Sequence, residues 1–189
     1  MTEQQINEIF EFISSQENRK LNEYVAYPDG KLPDGSPRYS IGFGNLANSP
    51  TEIISYNEAE FRCKDYIRNM LPYFQNKPYF ENAPMGGKIA ILSFAYQYGN
   101  RGFENRDLDE LITSMIPDGF TSAEYKMIAD DWKSQPGYPK RRTAEAKLWL
   151  DSAPTIKQQI AGVGSELLSD PVLWLILIAV LILKKLSNV

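Results

Sequence analysis

Histidine is missing from the sequence altogether, and cysteine occurs once, at Cys63. Without histidine there is no Ser-His-Asp triad, no Cys-His pair and no His-ligated metal site, which leaves carboxylates as the natural acid and base groups near neutral pH. A single cysteine cannot close an internal disulfide, so it says nothing of the redox compartment. Long basic runs are absent too, and the net charge of −4 is mildly acidic. That removes the electrostatic footprint of a nucleic-acid binder, although a locally basic cleft for a neutral or anionic substrate stays compatible with it. The first twelve residues, Met1 to Phe12, are acidic and amphipathic, without the basic region and apolar core of a signal peptide. No metal and no cofactor are expected.

What the chain does have is a broken run of chemistry near its start. Glu17 is followed at a distance by Ala26-Tyr27-Pro28-Asp29 and then by Tyr39-Ser40-Ile41-Gly42-Phe43-Gly44. This places one carboxylate at the end of an amphipathic helix, a second in a Gly/Pro-rich turn, and a hydroxyl on a short strand. Two carboxyl groups and a hydroxyl able to hold a water are the minimum apparatus for cutting a glycosidic bond. The pattern points to a sugar hydrolase.

Helical signals dominate the rest. Thr2 and Gln5 form a capping-box pattern, and Ile6, Ile9, Phe10 and Ile13 recur at helical spacing, with Glu17 on the same face. Tyr27 to Pro37 reads as tight turns or a hairpin leading into a strand over Arg38 to Phe43. Ser55 with Glu58 opens a second helix carrying Ala59, Cys63, Ile67 and Leu71, with Pro72 as its expected stop. The run from Lys88 to Tyr98 is apolar nearly all round, as a helix at the centre of its domain would be. Further helices are expected around Asp107 to Met115, over Thr121 to Lys133 with a Thr121/Glu124 capping box, and over Arg141 to Leu150 after the turn Pro136-Gly137-Tyr138-Pro139. Cys63, at helical spacing with Ala59 and Ile67, reads as a small core residue.

Four segments in order resemble the phage-type lysozymes, the muramidases grouped with the endolysins of tailed phages. They are the Glu17 to Gly44 run; Ile54-Ser55 with Glu58-Ala59-Glu60 and Asp65; Ala90 to Gly99 with Gly102-Phe103; and Trp132, Gly137 and Arg141-Arg142-Thr143-Ala144-Glu145 with Leu148. The resemblance covers nearly all of residues 6–150. It implies an α+β, mostly helical, lysozyme-like fold with a small N-terminal β-sheet and a central buried helix. It also implies a glycoside hydrolase that cuts the β-1,4 bond between N-acetylmuramic acid and N-acetylglucosamine in bacterial peptidoglycan. Glu17 would be the general acid, Asp29 would stabilise positive charge or help activate water, and Ser40 would orient that water. Gln97 would line the cleft, and Arg141 or Arg142 would pair with Glu17 or contact the saccharide. Ser40 stands where the family usually has threonine, Asn18 where it has glycine, and Asn45 where it often has histidine. The loop from Asp29 to Ser40 is stretched and contains Asp34, which leaves two candidates for the second carboxylate. A lytic transglycosylase, which uses a single catalytic acid, and a non-catalytic wall-binding or structural protein of a virion are the alternative readings.

The tail is different. After Pro154 come Gly162 and Gly164, and then Pro171 to Lys185 runs almost unbroken through leucine, isoleucine, valine and Trp174 to a lysine pair. The apolar stretch is shorter than the roughly 20 residues that span a bilayer comfortably, but flanking leucines and snorkelling lysines extend it. The expected organisation is a catalytic domain over 1–153, a linker over 154–169 and a C-terminal transmembrane anchor helix over 170–186. With it go a lipid membrane as partner through residues 171–185, virion proteins as further partners, and a location in a virion's internal membrane or the host inner membrane.

Overall fold

The computed structural model describes residues 1–17, 24–104, 106–115 and 121–153. In chain order the elements are helix α1 (Glu3–Glu17), strands β1 (Tyr27–Lys31), β2 (Pro37–Ile41) and β3 (Asn45–Leu46), and helices α2 (Tyr56–Phe74), α3 (Pro78–Glu81), α4 (Met85–Tyr98), α5 (Asn100–Glu104), α6 (Leu108–Met115), α7 (Ser122–Ser134) and α8 (Pro139–Asp151). Met1–Ser152 forms one compact unit.

Local chemistry starts the helices. The Thr2 hydroxyl accepts from the Gln5 amide at 3.3 Å while the Gln5 side chain accepts from the Thr2 amide at 2.8 Å. Thr121 and Glu124 make the same reciprocal box before α7, and the Ser55 hydroxyl caps α2 through the Glu58 amide. Each such cap is worth about 1 kcal/mol. Packing then selects the faces. Ile6, Ile9, Phe10 and Ile13 of α1 are buried, as are Ala59, Cys63 and Ile67 of α2.

The core is organised around α4, where every residue from Ile89 to Ala95 is buried. Helices α1, α2, α3, α5 and α8 all pack on it. Gly86 and Gly87 admit the close approach of α8, since a Cβ at Gly86 would lie 2.4 Å from the Leu148 carbonyl oxygen and one at Gly87 2.6 Å from the Trp149 ring. Trp132 and Trp149 stack at 6.2 Å between centroids and extend this aromatic layer to α7. Pro72 does not stop α2, which runs two residues beyond it. So near the C-terminus the missing amide removes one ladder bond and the remaining turn is still closed by Gln75, whose amide donates to the Leu71 carbonyl at 3.0 Å.

The sheet is antiparallel in the order β1-β2-β3. Tyr27 pairs with Ser40 and Pro28 with Tyr39, and the register slips before Lys31 meets Pro37. Asp29 and Gly30 lie inside that irregularity. Ser40 pairs in turn with Leu46, and Ile41 with Asn45.

The expected transmembrane helix requires correction. No helix among the described residues is long and apolar enough to cross a membrane. The longest, α2, has 19 residues but carries Glu58, Glu60, Arg62, Lys64, Asp65 and Arg68 along its length. The linker and anchor segments, 154–169 and 170–186, lie outside the described residues. Among the described residues the fold is α+β with no membrane-spanning helix, and the membrane location expected from such a helix is not supported.

Candidate active site

Glu17 ends α1, one turn beyond the buried Ile13, and its side chain is three-quarters covered. Its carboxylate forms an ion pair with Arg141 of α8, whose Nη1 donates to Oε1. Arg141 is buried and fixed on its other edges. Its Nη2 donates to the Ser93 carbonyl at 2.8 Å, and its Nε donates to the Ser93 hydroxyl at 3.1 Å and to Glu145 at 3.3 Å. Ser93 sits on α4, so the arginine ties the end of α1 to the central helix through three separate contacts.

Glu145 is fully buried. It accepts from the Ser93 hydroxyl at 2.5 Å, the Trp132 indole at 2.9 Å and Arg142 at 3.0 Å, besides Arg141. Burial pushes its carboxyl up from the ordinary value, and the Arg142 charge leads the opposing effects. Arg142 is equally buried. Its Nη2 also donates to the Gln97 side-chain carbonyl at 2.8 Å, and its guanidinium lies 4.2 Å from the Phe94 ring centroid. Removal from water lowers its pKa from the ordinary guanidinium value.

The sheet carries the second candidate carboxylate. The Ser40 hydroxyl donates to Asp29 Oδ2 at 2.6 Å, and Arg38 Nε stands 3.7 Å from the same oxygen. Asp29 lies within the slipped register, the kind of irregularity that commonly re-aims a side chain beside a site, and its carboxylate accepts from Ser40. Ser40 is buried, while Asp29 and Arg38 are about half exposed. Having given its proton to Asp29, the Ser40 oxygen keeps lone pairs that can accept from a water. Asp34 is occupied differently. Its Oδ1 accepts from the Ser36 amide at 2.9 Å and the Ser36 hydroxyl at 2.6 Å, which pins the hairpin turn and lowers its pKa.

The β2-β3 turn, four residues after Ser40, brings the sheet beside Glu17. Gly44 has a φ of +90°, and a Cβ there would stand 3.5 Å from Glu17 Oε2. A side-chain-free residue lets the backbone pass directly beside the carboxylate. The Tyr96 hydroxyl of α4 fastens this turn by donating to the Phe43 carbonyl at 2.8 Å, with Asn45 Oδ1 at 3.4 Å. Asn45 thus presents an acceptor to Tyr96 at this turn. Beneath it Cys63 is buried, its thiol pushed up to about 12 by desolvation, so it is a neutral packing group.

Among the residues singled out from sequence, the structure brings Glu17 and Arg141 into contact, and Asp29 and Ser40 into contact. Gln97 touches Arg142. Arg142 itself has no surface to offer a saccharide, because its planar group is enclosed by Phe94, Tyr98, Gln97 and Glu145. Sequence reasoning did not assign roles to Ser93, Trp132, Glu145 or Arg38. The spacing of Arg141, Arg142 and Glu145, three and four residues apart on a helix, was the available signal for the buried cluster. Among the described residues no group of three or more His, Cys, Asp or Glu side chains could hold a metal ion.

No protein-family model matches the chain, and no curated protein matches it. Among solved structures, the muramidase domain of SpmX from Asticaccaulis excentricus is similar over 78% of this chain and 96% of that one, with a TM-score of 0.56 and 18% sequence identity. At that identity the similarity speaks for the arrangement of helices and sheet and not for the chemistry. Helices gathered on a buried α4, a three-stranded sheet at the front and a match to a muramidase domain together make this a lysozyme-like fold.

Proposed function

We propose that the protein is a peptidoglycan muramidase that hydrolyses the β-1,4 bond between N-acetylmuramic acid and N-acetylglucosamine. The observation that carries the reading is a largely covered Glu17, held by Arg141 beside the Gly44 turn, together with an Asp29–Ser40 couple on the strands that lead into that turn. Glu17 delivers a proton to the glycosidic oxygen, the bond to the muramic C1 breaks, and the leaving N-acetylglucosamine departs as an alcohol. Asp29 stabilises the positive charge that develops on the ring and helps deprotonate the incoming water, which Ser40 holds through a lone pair. Addition of that water at C1 leaves a reducing muramic acid end. Arg38 stands beside Asp29, with its Nε 3.7 Å from Oδ2. Asp34 is spent on its turn, which supports Asp29 as the second carboxylate.

Gln97 lines the approach to the cleft, and Arg141 acts as the holder of Glu17. Arg142 supports Gln97 from beneath. The sequence resemblance to phage-type lysozymes supports a phage setting, with wall penetration or host lysis as the use of the activity.

The test is mass analysis of soluble products released from purified peptidoglycan by the full chain and by Glu17→Gln. Reducing muropeptides from the wild type and none from the variant are expected. Anhydro-muropeptides would instead identify a lytic transglycosylase, and no products from the wild type would leave a wall-binding role.

A further inference from the structure

The arginine that holds Glu17 is held in turn by a carboxylate to which the muramidase reading gives no role. Glu145 lies one helical turn from Arg141, fully buried, and its hydrogen-bond partners among the described residues are all donors: the Ser93 hydroxyl, the Trp132 indole, Arg141 and Arg142. Four donors and no acceptor describe a carboxylate rather than a carboxylic acid. We infer that Glu145 is a positioning residue for the general acid: it fixes the Arg141 guanidinium and shares its charge with Glu17. This rests on the muramidase reading.

The reason is electrostatic. An arginine beside a single carboxylate favours the ionised form of that carboxylate, which is the wrong form for a general acid. A second negative charge on the same guanidinium weakens that preference, and burial keeps solvent and salt from screening it. The Arg141 contact to Glu145 runs through Nε at 3.3 Å and that to Glu17 through Nη1, so both carboxylates address one delocalised cation. The other titratable or charged groups facing this cluster are Cys63 from α2, Tyr96 and Tyr98 from α4, Arg142 from α8, and Arg106, which acts on Arg142. Desolvation raises Cys63 and Tyr96, which keeps both neutral at neutral pH. Arg142 is a second claimant on Glu145, and its bond to Gln97 draws it away from Glu17.

The test compares kcat and KM of the full-length wild type, Glu145→Gln and Glu145→Asp on soluble peptidoglycan fragments across the pH range, with melting curves beside them. In Glu145→Gln the alkaline limb of the kcat/KM profile should move to lower pH by at least about half a unit, with kcat changing more than KM. Glu145→Asp, which restores the charge, should return the limb to the wild-type position. A merely structural role would scale the whole profile down and leave its limbs in place, and that result overturns the inference alone. Absence of turnover by the wild type overturns the muramidase reading and this inference with it. If Glu145→Gln does not fold, Arg142→Met/Glu145→Gln carries the test, because it also removes the cation left without its carboxylate. Its limb should move in the same direction by less, and an unmoved limb in that variant also overturns the inference.

Discussion

The two carboxylates of the site are held by opposite means. Glu17 is reached by a buried cluster of charges on α8, tied to α4 through Ser93 and Gln97, in which Arg141, Arg142 and Glu145 are almost wholly removed from water. Asp29 is reached by one hydroxyl and one nearby arginine on a half-exposed hairpin. The difference fits the roles proposed for the two groups. A group that must hold and release a proton benefits from low screening and fixed neighbours. A group that must stay ionised while facing substrate and water is adequately served by solvent, a hydroxyl and a cation. The helical wall can supply the first environment because α4 is covered on all sides, and the three-stranded sheet, with one face in water, can supply only the second.

Breaking the buried side should have the largest effect. Glu145→Met leaves Arg142 enclosed without a carboxylate, and should lower the unfolding free energy by about 3–5 kcal/mol in urea titrations. The paired replacement Arg142→Met/Glu145→Met removes both charges together and should recover most of that loss. Equal stability of the single and double variants would show that the cluster is not an energetic unit.

A smaller effect is expected on the hairpin side, and it falls on activity rather than stability. Ser40→Ala removes a hydrogen bond to a charged group worth about 1.5 kcal/mol, so turnover should drop roughly tenfold, whereas Ser40→Thr should retain most of it. Asp34→Asn touches only the turn and should leave turnover within about twofold of wild type. Loss of turnover in Asp34→Asn with none in Asp29→Asn would exchange the roles of the two carboxylates.

The smallest effect concerns how the sheet is anchored to α2. Glu52 accepts from the Asn48 amide, the Asn48 side chain and Arg62, and the Arg62 bond leads the effects that hold its carboxyl down to about 2. A carboxyl depressed in the folded state binds its proton more weakly there than in the unfolded chain. Its contribution to stability is therefore complete above the unfolded value of about 4.5 and is lost as pH falls toward about 2. Glu52→Gln should flatten the decline in melting temperature across that window and leave the slope above it unchanged. An identical acid profile in the variant would remove Glu52 as a source of acid sensitivity.

Much of the helical framework was legible in the sequence. Helices α1, α2 and α7 announce themselves through caps and apolar periodicity over three or more turns, and α4 through a run that is apolar nearly all round. Helices α3 and α5, of four and five residues, and the two-residue β3 are too short to show a period, and they form because their neighbours bring the chain into place. Pro72 misled because a stop signal near the end of a helix costs little once the next turn is packed, as Phe74 is. The apolar tail misled in another way: hydropathy alone suggested an anchor, and no membrane-spanning helix stands among the described residues.

The sequence by itself determined which groups are available: no histidine, a glutamate closing an amphipathic helix, an aspartate in a glycine-rich turn and a serine on the returning strand. It determined the faces of the long helices too, because burial follows periodicity. Only the tertiary structure decided partners. Arg141 and Arg142 are neighbours in the chain, yet about 100° separates them around α8, so one reaches Glu17 and the other is turned to Gln97 and Phe94. The same is true of Asp29 and Asp34, two similar turn residues that a slip in strand register assigns to Ser40 and to Ser36. Composition and period act over a few residues, whereas these choices depend on distances between segments up to 124 positions apart, which only the packed core brings together.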